Sequence, residues 1–318
     1  MKSTGFIKRW FAILKNTFTI FMDVKGLKFS ASLAYYTVFS LAPLLVLTIS
    51  LAALFFGQEA AEGRVFHEIN GLVGKNAAAQ IQEMLKNVQL KEDNTWALIV
   101  GIGTLLLGAT TVFGDMQHSI NKIWEIKPKP QRGWVKLITD RLLSSSLVLS
   151  LGFLLIVSLI VNGLLMIFMD YIRRQFSDLA VYLSLTIETL TNFIVISALF
   201  GVIFKFLPDV RIQWKDVKAG AFFTAILFMI GRFLIGFYIQ TTGPESTYGA
   251  AASIIVLLLW VYYTAAILYI GASFTRAYAE YHGSRIAPAE FAVHVEERET
   301  ELQVSHVPPP KGTENVKK

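Results

Sequence analysis

The chain has 318 residues, 54% of them hydrophobic and only 16% charged, with a mean hydropathy of +0.52. A soluble domain of this length is normally more highly charged and less apolar. The net charge of +6 points to basic loops that orient a membrane protein, not to a nucleic-acid partner, and the absence of cysteine excludes a disulfide framework and a cysteine metal site.

At the N-terminus, Lys2, Lys8 and Arg9 precede an apolar stretch. Lys15 interrupts that stretch and no small-residue cleavage site follows, so a cleaved signal peptide is not expected. Ile7, Trp10, Phe11, Leu14, Phe18 and Phe21 recur at helical spacing, with Lys8, Arg9 and Lys15 elsewhere around the helix. This pattern predicts an amphipathic helix on the inner leaflet, within a cytoplasmic segment covering residues 1–28.

A bilayer core about 30 Å thick needs roughly 20 apolar residues in a helix. Six stretches qualify: 29–56, 96–114, 142–169, 179–204, 219–239 and 246–275. They are continuous and do not alternate, which favours helices over barrel strands. The fold class expected is therefore an all-α integral membrane protein, a six-span bundle over residues 29–283 with an interfacial N-terminal helix. Of the 29 Lys and Arg, 22 fall in the two ends and the loops after spans two and four, and 6 fall in the other loops. That bias puts both termini in the cytoplasm. In the external loop, Ala77 to Leu90 has helical periodicity and predicts a short helical pair near the outer surface. From about 284 the chain is polar, rich in Glu and ends in Pro308-Pro309-Pro310 and lysines, so 284–318 reads as a disordered cytoplasmic tail.

Several residues stand out against this background. Pro43 lies near the middle of span one, where it removes a helical hydrogen bond and makes a candidate hinge, with Thr37 and Ser40 near enough to satisfy freed carbonyls. Glu188 and Arg232 are the formal charges within the spans, at similar depth on consecutive antiparallel helices. Intramembrane charges pair or line wet cavities, so these two form a candidate intramembrane site. The chain breaks at Gly243-Pro244 and restarts with Ser246, Thr247, Tyr248 and Gly249, a candidate helix-start site for an anionic headgroup. Gly249 and Ser253 also give a small-xxx-small face for tight packing. The loop from Asp115 to Arg141 carries Lys122, Trp124, Lys127, Lys129, Arg132 and Trp134, a candidate headgroup-binding set that makes membrane lipids the expected partner.

The five histidines are scattered and form none of the common zinc spacings, and no nucleophile elbow, P-loop or dinucleotide fingerprint is present. No cofactor or catalytic residue is expected.

Four blocks carry a family resemblance: ASLAYYTVFSLAPLLVLTISLAALFF from Ala31 to Phe56, DMQHSINKIWEIKPKPQRGWVKLITDR from Asp115 to Arg141, FLPDVRIQWKDVKAGA from Phe206 to Ala221, and YGAAASIIVLLLWVYYTAAILYIGASFTRAY from Tyr248 to Tyr278. In these the chain resembles the YihY/virulence factor BrkB family of bacterial inner-membrane proteins. The resemblance implies about six spans and an envelope role, since members are associated with resistance to serum killing or with lipopolysaccharide export. Some members carry an old label as a tRNA-processing ribonuclease.

Three readings follow. The intramembrane charges, the kinked first span and the basic interfacial loops fit a transporter or flippase-like carrier of a lipid or amphiphilic solute. The polar tail fits a membrane scaffold or envelope-integrity factor. The old label implies a nuclease, which the residues do not support with a metal site.

Overall fold

The computed structural model of the chain describes residues 3–40, 63, 108, 111–129, 179–242, 252–284 and 286–296. In chain order the elements are α1 (Ser3–Asp23), α2 (26–40), α3 (111–123), β1 (Ile126–Pro128), α4 (Leu179–Phe206), β2 (Val210–Arg211), α5 (Trp214–Thr242), α6 (Ala252–Tyr281), β3 (Ala287–Pro288) and β4 (Ala292–His294). Among the described residues, three helices carry segments long and apolar enough to cross a membrane: Thr189–Phe206, Trp214–Tyr238 and Ile254–Tyr281. They coincide with expected spans four, five and six. The third span, most of the second and the second half of the first lie outside the described residues.

Helices α4, α5 and α6 pack side by side, with α5 in the middle. Helices α5 and α6 run antiparallel, since Gly220 faces Thr275 while Gly231 faces Tyr263. Glycines let these backbones approach closely, which is how apolar helices associate where the surrounding lipid is as apolar as they are. Gly201 of α4 meets Ala221 of α5 in the same manner. Aromatic rings fill the wider gaps: Phe223 stacks on Phe274 with centroids 4.0 Å apart, and Phe228 meets both Phe200 and Trp260.

The amphipathic sequence at the N-terminus forms α1, which docks on the end of α6. Trp10 stacks on Phe274, Arg9 lies over the Tyr281 ring, and Ile13, Thr17, Ile20 and Phe21 are buried. Its other side leaves Ile7, Phe11, Leu14, Phe18 and Met22 exposed in a single row at helical spacing. The chain then reverses through Val24 and Lys25, the latter at φ 60°, into α2. Gly26 follows because the Phe21 ring occupies the space a side chain would need.

At this same end of α6, Ser284 N donates to Ala279 O (3.0 Å) and Gly283 N to Glu280 O (3.1 Å), with Gly283 left-handed at φ 62°. This glycine cap turns the chain back across the bundle. Residues 286–296 then form a strap. β3 pairs antiparallel with β2 through Val210↔Pro288, and β4 pairs antiparallel with β1 through Ile126↔His294. Residues 286–296 thus carry paired strands, within the stretch expected to be disordered from 284. The strap's side chains are mostly apolar, with Ala292 buried, and its backbone hydrogen bonds are taken up by pairing with β1 and β2. Residues 297–318 lie outside the described residues.

Candidate functional site

The ends of α3, α4, α5 and α6 meet beneath the strap, and the described polar side chains concentrate there. Pro208 stops α4, because it lacks an N–H and disfavours helix at the residue before it. The next residue, Asp209, is 8% exposed and is held by two side chains one turn apart on α3. Gln117 Nε2 donates to its Oδ1 (3.0 Å) and Asn121 Nδ2 to its Oδ2 (2.7 Å), while Asp209 N donates to Asn121 Oδ1 (2.8 Å). The Asp209 carbonyl accepts from Ala289 N (3.0 Å), so one residue ties the α4–α5 loop to both α3 and the strap. Hydrogen bonds to a charged acceptor contribute about 1.5–3 kcal/mol each.

Arg276 of α6 is a second junction. Its Nη1 donates to the Ile123 carbonyl (2.6 Å), its Nε to Glu280 (2.6 Å), and its Nη2 lies 3.1 Å from Glu125 Oε1. The Ile123 carbonyl is one of those left unpaired at the end of α3. Glu125 has φ 54°, a position where glycine is favoured. A carboxylate is found there because it serves two partners: Arg276, and His294 Nε2 at 3.4 Å. Glu280 extends the junction to α1 through Asn16 (3.4 Å).

A third group lies where α2, α3 and α6 converge. Ser32 Oγ donates to Asp115 Oδ1 (3.1 Å), and Ser119 Oγ donates to the Asp115 carbonyl (2.8 Å). Asp115 Oδ2 and the Tyr269 hydroxyl are both buried with no hydrogen-bond partner. Phe29 meets both His118 and Tyr269 edge to face, at 6.4 Å in each case. Burial holds the Asp115 carboxyl above the ordinary carboxylate range, while the Ser32 hydrogen bond and the His118 charge pull it down.

The residues singled out in the sequence fare differently. Arg232 is exposed on α5, with exposed Ile230, Phe233 and Leu234 around it. Glu188 lies on α4, but its side chain is outside the described residues, as are Pro43, Ser246, Thr247, Tyr248, Gly249, Arg132 and Trp134. Trp124, one of the candidate headgroup-binding residues, is 5% exposed and packs in the core. Its position at the end of α3 turns the ring inward beneath the strap. Lys127 and Lys129 are exposed, and Lys129 Nζ donates to the Glu290 carbonyl (3.1 Å). Ser40 donates to the Gly108 carbonyl (3.1 Å), a bond between separate helical segments. Gln117, Asn121, Asp209, Arg276 and Tyr269 were missed as site residues, although all lie within the sequence blocks that carry the family resemblance. The i, i+4 spacing of Gln117 and Asn121 was the available signal; the partner, 88 residues away in sequence from Asn121, was not.

A family model described as virulence factor BrkB matches residues 17–293. The chain belongs to the virulence factor BrkB family. Among curated relatives of this BrkB-family chain, a UPF0761 membrane protein of Psychrobacter sp. (strain PRwf-1) is 22% identical over 283 residues, covering 88% of this chain and 50% of that protein. A UPF0761 membrane protein of Azotobacter vinelandii is 25% identical, covering 80% and 60%. The putative ribonuclease-like protein YfkH of Bacillus subtilis is 26% identical, covering 82% and 92%. The chain thus spans only half to three fifths of those two UPF0761 relatives. No solved structure matches it. Membership and the apolar helices together make it a membrane protein.

Proposed function

We propose that this BrkB-family protein is a six-span protein of the bacterial inner membrane that carries a lipid or amphiphilic solute, with both termini and the strap in the cytoplasm. One observation carries the reading: Arg232 sits exposed among apolar side chains inside the crossing segment Trp214–Tyr238. A cation at such depth costs about 2.5–3.5 kcal/mol on insertion scales, so it favours an anion beside it. Glu188 or the headgroup of a passing amphiphile supplies that anion. The exposed row on α1, flanked by exposed Lys8 and Lys15, suits a helix lying in the inner headgroup region. In liposomes containing labelled anionic lipid, the protein should accelerate exchange between leaflets, and Arg232→Ala or Glu188→Ala should reduce it. Exchange no faster than in empty vesicles contradicts the reading.

The second reading, a membrane scaffold or envelope-integrity factor, is favoured by the strap, which joins the loop ends into one surface. Deleting 297–318 while keeping the strap tests whether the tail recruits a partner; an unchanged envelope phenotype weakens this version. The ribonuclease-like name belongs to the Bacillus relative. Assay of the purified protein on tRNA with divalent metals decides whether that activity applies here.

A further inference from the structure

We propose that Asp115 is a proton-binding site which, together with Ser32, Ser119 and Tyr269, links pH at the strap end of the bundle to the grip between α2 and α3. The proposal stands apart from lipid handling and holds for a carrier or a scaffold.

Donors and acceptors around Asp115 are unequally matched. Of the two Asp115 carboxyl oxygens, Oδ1 takes a hydrogen bond from Ser32 and Oδ2 takes none, although it is buried. Ser119 is fully buried, but its proton is committed to the Asp115 carbonyl. Tyr269 is fully buried and its hydroxyl lies beside Ser119, with no further hydrogen-bond partner among the described residues. A charged carboxylate in this place leaves one acceptor uncompensated, which is costly. A proton on Asp115 removes the charge and supplies an O–H, for which the hydroxyl oxygens of Ser119 and Tyr269 are the acceptors in the group.

The surroundings contributed by α2 and α6 are apolar or neutral. Helix α2 contributes Ser32 and the Phe29 ring, and α6 contributes Tyr269. Helix α3 contributes Ser119 and His118, whose charged form opposes protonation of Asp115. The Asp209 carboxylate is engaged elsewhere, by Gln117 and Asn121. Burial outweighs the opposing influences at Asp115.

Protonation has a mechanical consequence. Ser32 on α2 and Asp115 on α3 are 83 residues apart in sequence, so their bond joins separate parts of the bundle. A hydrogen bond to an ionised acceptor is roughly twice as strong as one to a neutral acceptor. Loss of the proton therefore tightens the Ser32–Asp115 bond, and its uptake loosens it.

The test is infrared difference spectroscopy of the protein in nanodiscs, titrated between about pH 4 and 8. The expected result is a carboxylic-acid C=O band that Asp115→Asn removes and that titrates above the bulk of exposed carboxylates. Asparagine keeps an oxygen for Ser32, so this variant should fold. Ser32→Ala should move the midpoint further up, because it deletes a bond that favours the ionised form. A purely structural role for Asp115 predicts no such upward shift. The proposal is overturned if Asp115→Asn removes no band, or if the Asp115 midpoint matches that of exposed carboxylates. It is also overturned if replacing choline by sodium displaces the midpoint, which would make this a metal-cation site.

Discussion

A methyl group added to Gly220 of α5 would fall inside the side chain of Thr275 on α6. The relationship is reciprocal: Gly271 of α6 is filled by Thr224 of α5. Each threonine also donates to the carbonyl of the glycine one turn before it, Thr224 to Gly220 at 2.6 Å and Thr275 to Gly271 at 2.8 Å. The hydroxyls are thereby satisfied within their own helices, although their oxygens are the atoms that lie nearest the opposing glycines.

Substitutions at this seam should therefore act through overpacking. Gly220→Ala should destabilise by about 1–3 kcal/mol, and Gly220→Leu by more. Thermal unfolding in detergent measures the loss. Adding Thr275→Ala to Gly220→Ala should recover part of it, because the second change opens the space the first one fills. No recovery in the double variant would mean that the two helices do not meet there.

Arg276 should couple energetically to Glu125. Arg276→Met leaves the Ile123 carbonyl and two carboxylates without their shared donor, and it should cost about 2–3 kcal/mol. Glu125→Gly relieves a left-handed backbone position but loses the ion pair. Its effect should therefore be smaller than that of Glu125→Ala, which loses the pair and keeps the strain. A double-mutant cycle on unfolding midpoints reads the coupling directly.

The two sides of α1 should differ in what they touch. The chain contains no cysteine, so single cysteines report cleanly. A spin label at Phe11 or Phe18 should be reached by oxygen dissolved in lipid, and one at Lys15 or Asn16 by a water-soluble nickel reagent. Equal access of both reagents at all four positions would place α1 in water.

Stability should depend on pH through Asp115. Its folded carboxyl binds a proton more tightly than the unfolded chain does. The associated stabilisation is fully present below the ordinary carboxylate range and is lost as pH rises through the raised folded value. Asp115→Asn should flatten that part of the profile. The check is the unfolding temperature of both proteins from acidic to neutral pH.

Among the described residues, hydropathy found the helices α4, α5 and α6 but not their ends. Helix α4 starts at Leu179 as expected and runs to Phe206, two residues past the expected limit. Helix α5 starts at Trp214, ahead of the expected 219, because Trp214-Lys215-Asp216-Val217-Lys218 is helical while too polar for hydrocarbon. Helix α6 runs past Thr275 to Tyr281, since Arg276 finds its partners on α3 and on its own next turn. An apolar run reports what dissolves in lipid, and a helix is free to extend into the headgroup region. The strap was not legible. Its strands are two or three residues long, too short for an alternating pattern, and two of the paired segments contain proline. Asp209 and Arg276 looked like ordinary loop charges, because their roles depend on partners far away in sequence.

The proposed topology puts the strap end of the bundle in the cytoplasm, with the chain crossing the membrane between there and the far end of α5. Single cysteines at Ser3, Gln213 and Glu245, treated with a membrane-impermeant maleimide on intact spheroplasts, test this directly. The account predicts labelling at Glu245 alone, with Ser3 and Gln213 reacting only after the membrane is permeabilised. Labelling of Gln213 in intact spheroplasts, or reaction of Ser3 and Gln213 from opposite sides, would contradict it.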